Sequence, residues 1–549
     1  MTRREARALL PFVVEVLAIL AAFALLERMI VGLGRLPASA YEQSFFSPVL
    51  VTRSAGLLLT RIPIAVIVSG IALTLLAFVV DARRNRSAAR RSLSRIFGPW
   101  RDVEHGAALR WLIAAVTGVA VLALAAYPYN AYFDRTHLAD RMLLAACWVA
   151  LIWRPVFVLP FALIASAIGR QFQVPLESYS WTEMELLVRI PILLGAFWIV
   201  RALVRDRGVD VFVFLLSCLI AVTWWSSGWG KLRIGWITHP HIDLLLIGAH
   251  ANGWLGFMES ERVVRIAHTI AAVRIPLMLA TLVVECGALF VLWRRWSLPA
   301  FLVLTSTFHL GALALTGIFF WKWILIDVAF LTFLLAGRRV ARLRIFSPAH
   351  FALAVVLILG SRAWVTARNL TWFDTPLTYV IRLEGVDSAG TVYPLPAGFF
   401  RPYSETFVLE TFPYLSPHGQ LTGPMGVTQR RDVVEALLAA RTPDEVFDLE
   451  RTLSTSRYDP ERSAWFDEFV SRWIRATNGA GARVVPASPR HLLTFPLDAD
   501  WNGTPAIVRV RVVESTKFYD GMALREIRRR PLRTIEIGDG LRMSRVRAR

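Results

Sequence analysis

The feature that most constrains this chain is a series of apolar runs, each about as long as a bilayer is thick. Crossing the hydrocarbon core takes about 20 apolar residues in a helix, and candidates lie at 9–29, 56–80, 108–127, 141–169, 184–204, 209–227, 267–293, 298–318, 320–336 and 349–367. Lipid offers no hydrogen bonds to an exposed backbone, so such runs fold as helices. Of the 549 residues 55% are hydrophobic, and ordinary soluble, disordered and nucleic-acid-binding classes fit poorly despite a net charge of +20.

Charge placement orients the runs. The first follows MTRREAR, is too long for a signal peptide and has no small-residue cleavage site after it, so it reads as an uncleaved anchor. Arg83, Arg84, Arg86, Arg90, Arg91, Arg95 and Arg101 place 81–107 in the cytoplasm with the N-terminus, and the basic turns at 205–207, 293–296 and 337–344 read the same way. Residues 228–266 then lie outside, and the last span delivers 370–549 outside. Between cytoplasmic 81–107 and 205–207 the crossings must be even in number, yet three candidates lie there. The run at 141–169, broken by Arg154, Pro155 and Pro160, is therefore a half-span or a pair.

An N-inside, C-outside chain needs an odd number of crossings, which gives about nine. The expected fold is a polytopic α-helical membrane bundle over 1–369, in the cell (inner) membrane, followed by a C-terminal extracytoplasmic α/β soluble domain over 370–523. An Arg-rich tail over 524–549 carries nine arginines against three acids and reads as solvated or headgroup-facing rather than as a nucleic-acid site.

The soluble part has its own signals. TYVIRLEGVD, the turn DSAG and TVYPL predict a hairpin, and AIVRVRVVE alternates with period two after the turn Asn502-Gly503. Thr442-Pro443-Asp444-Glu445 is a capping box with Pro at the first helical position. Asp459-Pro460 opens a second helix whose Trp465, Phe466, Phe469, Val470, Trp473 and Ile474 recur at helical spacing before Asn478-Gly479.

Ionisable groups inside apolar runs are costly and point to function; here they include Glu15, Arg61, Arg154, Arg189, Arg274, Glu285, His309, Lys322, Asp327 and Arg362. Lysine is scarce: only Lys231, Lys322 and Lys517 stand among 61 cationic residues. Unlike arginine, a desolvated lysine can lose its proton. Lys322, between Trp321 and Trp323, reads as a Trp-flanked anchor at a span end, and Lys517 as ordinary surface. Lys231 lies in TWWSSGWGKLRIGWITHPHID, where Ser226, Ser227, Gly228 and Gly230 allow close backbone approach. There Trp224, Trp225, Trp229 and Trp236 have the flat faces to wall a planar ligand. Two readings are open to it: a partly desolvated general base, or an interfacial lysine meeting lipid phosphate. His309 is either an interhelical hydrogen-bonding residue or a catalytic one. His239-Pro240-His241 with Asp243 lacks metal-site spacing, so no metal is expected. Cys147, Cys218 and Cys286 all lie in apolar runs and imply no disulfide framework.

GWGKLRIGW at 228–236 resembles the Gly-x-x-Lys-Leu-x-x-x-Trp segment of the vitamin K-dependent gamma-carboxylase superfamily and its horizontally transferred transmembrane (HTTM) relatives. FHLGALALTGIFFWKWILIDVAFL at 308–331 is similar to that family's Phe-His-x-Gly helix and the turn after it, and Phe133-Asp134-Arg135-Thr136 looks like its Asp-Lys-Thr. The resemblance covers loosely 1–370. It implies a quinone or hydroquinone of the vitamin K type as cofactor, Lys231 as the base that deprotonates it, and His309 as the residue that stabilises charge; the flat faces of Trp225, Trp229 and Trp236 are the expected cofactor-binding residues. Two departures stand out: only His137 is in place of the family's Asn-His-x-Tyr, and Gly230 replaces a lysine.

Two functions follow as expectations. The first is quinol-dependent proton abstraction or carboxylation at Lys231 and His309. The second is a non-catalytic membrane scaffold or lipid- or partner-binding protein. Expected partners are the lipid bilayer and an extracytoplasmic protein or peptide held through 370–549, with no nucleic acid.

Overall fold

The computed structural model describes residues 3–60, 100, 106–176, 182–203, 209–336, 339–367, 370–479, 489–497 and 499–538. The basic segment 81–99, Arg61, most of the run at 56–80 and the turn at 205–207 lie outside the described residues.

The chain is mostly helical up to residue 359, with α1 (Arg3–Gly34), α2 (Ser47–Thr60), α3 (Gly106–Ala125), α4 (Leu138–Trp153), α5 (Val158–Gln171), α6 (Thr182–Leu203), α7 (Asp210–Ile234), α8 (Asp243–Ala251), α9 (Ser260–Ala272), α10 (Arg274–Gly287), α11 (Ser297–Thr316), α12 (Trp321–Leu335) and α13 (Pro348–Leu359). Among the described residues four helices are long and apolar enough to cross a membrane: Leu9–Gly34, Gly106–Ala125, Asp210–Ile234 and Ser297–Thr316. A fifth span is possible if α9 and the helix after it count as one, but the pair is bent by 70°.

The run at 141–169 is indeed broken where its sequence suggested. Arg154 takes an extended conformation, and α4 and α5 pack against each other as two short helices either side of Pro155. The run at 349–367 is shorter than expected, since α13 ends at Leu359.

At the centre of the bundle α7 is buried nearly all round, which explains a sequence apolar on every face up to Trp224. It packs against α10, α13 and α6, while α1 lies across α5 and α6, and α12 bridges α11 and α3. Arg189 in α6 is held by Glu27 at 2.6 Å and Glu185 at 3.1 Å, so its charge closes a contact between α1 and α6. The short strands β1 (Tyr129–Asn130) and β2 (Arg135–Thr136) pair between α3 and α4.

The C-terminal part contains β3 (Phe373–Asp374), β4 (Leu377–Asp387), β5 (Val392–Leu395), β6 (Val427–Thr428), β7 (Ile507–Tyr519) and β8 (Leu524–Glu536), with α14 (Arg431–Ala439), α15 (Pro443–Leu453) and α16 (Pro460–Thr477). An antiparallel sheet runs β5-β4-β7-β8, and β3 pairs separately with β6. The predicted hairpin is β4–β5, and the period-two stretch is β7. Both helix starts are as read: Thr442 and Glu445 cap α15 reciprocally, and Asp459 accepts from the Glu461 and Arg462 amides. The aromatic stripe of α16 is buried against Phe400, Phe407 and Tyr403.

The expected tail is corrected by β8. Residues 524–536 are an edge strand along β7, and their arginines meet the buried Glu450 and Glu514 and the part-exposed Asp467. Arg528 donates twice to Glu450 at 2.7 Å, Arg530 binds Glu514 at 2.6 Å, and Arg533 binds Asp467 at 2.8 Å.

The two halves share one hydrophobic core. Phe133 and Phe172 from the bundle side and Tyr403, Phe469 and Trp473 from the C-terminal side belong to the same buried cluster, and Tyr132 stacks on Phe469 at 5.6 Å. Main-chain bonds from Phe319 to His491 and from Phe495 to Gly253 continue the seam.

Candidate functional site

Lys231 lies in the last turn of α7, which ends at Gly235 in a left-handed conformation that favours glycine. Its side chain points to α10. The ammonium donates to Glu285 Oε1 at 2.6 Å and to the Leu370 carbonyl at 3.2 Å, and Nζ stands 5.5 Å over the ring of Trp236. Both members of the ion pair are buried. Their helices come together because Gly228, one turn earlier on the same face, has no side chain: a Cβ there would lie 2.9 Å from Glu285 Cβ and from Cys286 Sγ. The close approach expected of the small residues is therefore between α7 and α10.

The first described residues of the C-terminal part lie over this pair. The Leu370 amide donates to Ser227 Oγ at 3.4 Å. Asp374, on the short strand β3, is fully buried, and burial pushes its carboxyl up to about 7 against the opposing pull of Lys231 and a hydrogen bond from Trp372. Asp243, at the start of α8, is also raised by burial, and Arg274 acts against that shift. Three carboxyl oxygens here are buried and have no hydrogen-bond partner: Glu285 Oε2, Asp374 Oδ1 and Asp243 Oδ1. Lys231 thus acts on two buried carboxyls, Glu285 and Asp374, while Arg274 acts on Asp243.

Of the tryptophans read as a wall, only Trp236 is beside Lys231. Trp225 and Trp229 are four residues apart and stack on each other at 5.9 Å. At about 100° per residue they project from the side of α7 away from Lys231, and Trp229 is half exposed. The expectation that all three line one ligand is corrected by that helical phase.

His309, on α11, faces Trp224, which lies two turns before Lys231 on the same face of α7. Its ring is 5.0 Å from Trp224, 4.9 Å from Phe320 and 5.8 Å from Trp323, and its Nδ1 is buried without a partner. Phe320 in turn meets His491 of the C-terminal part at 5.4 Å. The bonds of Lys231 go to Glu285 and Leu370 and none reaches His309, so the two motif residues occupy neighbouring compartments joined by Trp224.

His239 and His241 do not form a metal centre with Asp243. His239 meets Thr238 and Glu435, and burial lowers His241 to about 4. Among the described residues no three His, Cys, Asp or Glu side chains converge as metal ligands.

The other two lysines depart from their expected places. Lys322 is buried, 3.9 Å from Glu405 of the C-terminal part. It is covered by that part instead of reaching out to headgroups. Lys517 on β7 donates to the Ala251 carbonyl at 3.1 Å, and burial lowers its ammonium to about 8. All three lysines therefore link the helical half to the C-terminal half.

Glu285 was visible in the sequence as an acid inside an apolar run, but nothing there tied it to Lys231. Asp374 carried no signal, since it lies outside every apolar run. Comparison of the chain with protein-family models, curated proteins and solved structures gives no match.

Proposed function

We propose that this protein is a multi-pass membrane protein with about nine spans, a cytoplasmic N-terminus and an extracytoplasmic C-terminal half, and that it carries out proton transfer at Lys231–Glu285. The observation that carries this reading is a buried ion pair of 2.6 Å whose second carboxylate oxygen has no partner. A buried pair adds little stability over apolar residues of the same size, and an ionisable group at such depth points to function.

The donor set fits the hydroquinone class implied by the resemblance. Glu285 Oε2 is a free acceptor for a hydroxyl, with Trp236 as the neighbouring aromatic face. When bound, a hydroquinone supplies a weakly acidic hydroxyl. Lys231 becomes a base by passing one proton from Nζ to Glu285 Oε1, which leaves a neutral amine and a neutral carboxyl. The amine then takes the substrate's proton and becomes an ammonium again. Asp374, when ionised, adds negative potential at the ammonium. His309, in its aromatic enclosure, is placed to stabilise charge next door.

The test uses the full chain in lipid nanodiscs, supplied with a reduced short-chain naphthoquinone and air. Quinol consumption is followed by chromatography, with added bicarbonate and a glutamate-containing peptide to detect carboxylation. Lys231→Arg keeps the cation, cannot act as a base, and should abolish turnover in a folded protein. Turnover retained in that variant overturns the assignment.

A second reading is favoured by the bond from Lys231 to the Leu370 carbonyl: a scaffold that holds the C-terminal half rigidly for an extracytoplasmic protein or peptide. It predicts that Lys231→Arg and His309→Ala leave partner binding intact.

A further inference from the structure

A second buried polar cluster, distant in sequence from Lys231, has no part in the reading above. Arg141, in the first turn of α4, is only 2% exposed. Its Nε donates to the Tyr127 carbonyl at 3.2 Å, its Nη2 to Gln171 Oε1 at 2.6 Å, and its guanidinium lies 5.6 Å over Phe172. All of these partners are neutral. Asp140, next to it in the chain, attracts Arg141 through space but spends its hydrogen bonds elsewhere: it accepts from the Phe46 and Ser47 amides at 3.2 and 2.9 Å and from Ser47 Oγ at 2.5 Å. Among the described residues no carboxylate hydrogen-bonds to Arg141.

Donors are left over: Arg141 Nη1 and Gln171 Nε2 are buried with no hydrogen-bond partner. His137, one turn before Arg141, makes no hydrogen bond through its ring, whose Nδ1 lies 4.0 Å from Asp140 Oδ2. The 2.6 Å bond between Arg141 Nη2 and Gln171 Oε1 holds guanidinium and amide side by side, each with an N–H group unused. Asp140 attracts the guanidinium through space without bonding to it, so the defect that remains is the unused N–H groups, which a bound oxyanion would satisfy.

The surroundings carry the same sign. Arg401 lies over the ring of Tyr127, whose carbonyl takes Arg141 Nε, at 5.9 Å. Arg401 and Arg490, with Ser404 and Thr494, line a cavity of about 10 Å³, enough for one water or one ligand oxygen. Arg401 therefore brings a second cation to Tyr127, with Arg490 beyond it across the cavity, and clustered cations raise the local concentration of anions.

We propose that Arg141 and Gln171 form a binding site for a small oxyanion, a carboxylate or phosphate, held by Arg141 Nη1 and Gln171 Nε2, with His137 as an additional polar neighbour. The site is independent of the chemistry assigned to Lys231.

The experiment follows thermal unfolding of the full chain in detergent while acetate or phosphate replaces chloride at constant ionic strength. At least one of the two should raise the melting temperature of the wild type, and the one that does so identifies the class. Gln171→Glu supplies a carboxylate to Arg141 from within, so it should melt at or above the wild type in chloride and lose the response. Arg141→Lys keeps the charge without the fork and should weaken binding about tenfold or more. A wild type indifferent to both anions, a Gln171→Glu protein that responds as the wild type does, or a density map showing only water between Arg141 and Gln171 would each overturn the site.

Discussion

Lys231 Nζ and Glu285 Oε1 lie 2.6 Å apart, both buried, at the level where Gly228 lets α7 and α10 touch. Removing either charge leaves the other unpaired. Glu285→Ala should therefore destabilise the protein by about 3–5 kcal/mol, whereas the double change Lys231→Met, Glu285→Leu should recover most of that loss. Chemical or thermal unfolding of the three proteins in one detergent checks this, and a double variant no better than the single one would show that the charges are not acting as a pair.

Gly248 in α8 faces the 424–426 turn so closely that a Cβ would lie 1.9 Å from the Met425 carbonyl oxygen, while Gly287 has nothing within 4 Å. Gly248→Ala should cost about 1–3 kcal/mol or more by forcing the two halves apart. Gly287→Ala should be neutral or slightly stabilising. Limited proteolysis of the seam, with melting temperatures, distinguishes the two.

Asp374 gives a pH dependence with a definite sign. Its carboxyl is raised from 3.8 to about 7, so between those values the folded protein binds the proton more tightly than the unfolded chain. That contribution is full below the unfolded value and is lost as pH rises through the folded one. The wild type should lose stability from pH 5 to pH 8 relative to Asp374→Asn, by about a few kcal/mol at most. Equal slopes for the two proteins would contradict the shift.

Helical phase separates the tryptophans. Trp236→Ala should impair both stability and any turnover at Lys231, since its ring lies against the ammonium. Trp225→Ala and Trp229→Ala should leave turnover within about twofold of wild type, because a side chain on the opposite face makes no contact there. Parallel assays of the three variants decide the matter.

Ser388 is exposed in the β4–β5 turn. With Cys147, Cys218 and Cys286 replaced, a Ser388→Cys protein should react with a membrane-impermeant maleimide in intact cells. Labelling only after lysis would place the C-terminal half in the cytoplasm.

The local elements were the legible part. The capping box of Thr442 and Glu445 depends on residues three apart, and the hairpin around DSAG and the break at Arg154-Pro155 are equally local, so spacing alone revealed them. The 524–536 stretch was misleading because charge density says nothing about partners: its arginines meet Glu450 and Asp467, 78 and 66 residues away in the sequence, and Glu514 across the β7–β8 hairpin. Lys322 misled for a related reason, since flanking tryptophans look alike beneath lipid headgroups and beneath a protein domain.

What the sequence determined by itself was a largely helical chain with several runs apolar and long enough to cross a membrane, a sheet-containing C-terminal half, and the scarcity of lysine. Hydropathy over 20 residues and period-two alternation are properties of neighbours along the chain. Only the tertiary structure decided what the lysines do. Lys231 meets Leu370, Lys322 meets Glu405, and Lys517 meets Ala251, each pair bridging the two halves across 83 to 266 residues of chain. A buried ammonium takes its character from the oxygen atoms that reach it, and here the folding of one half onto the other brings several of them into place.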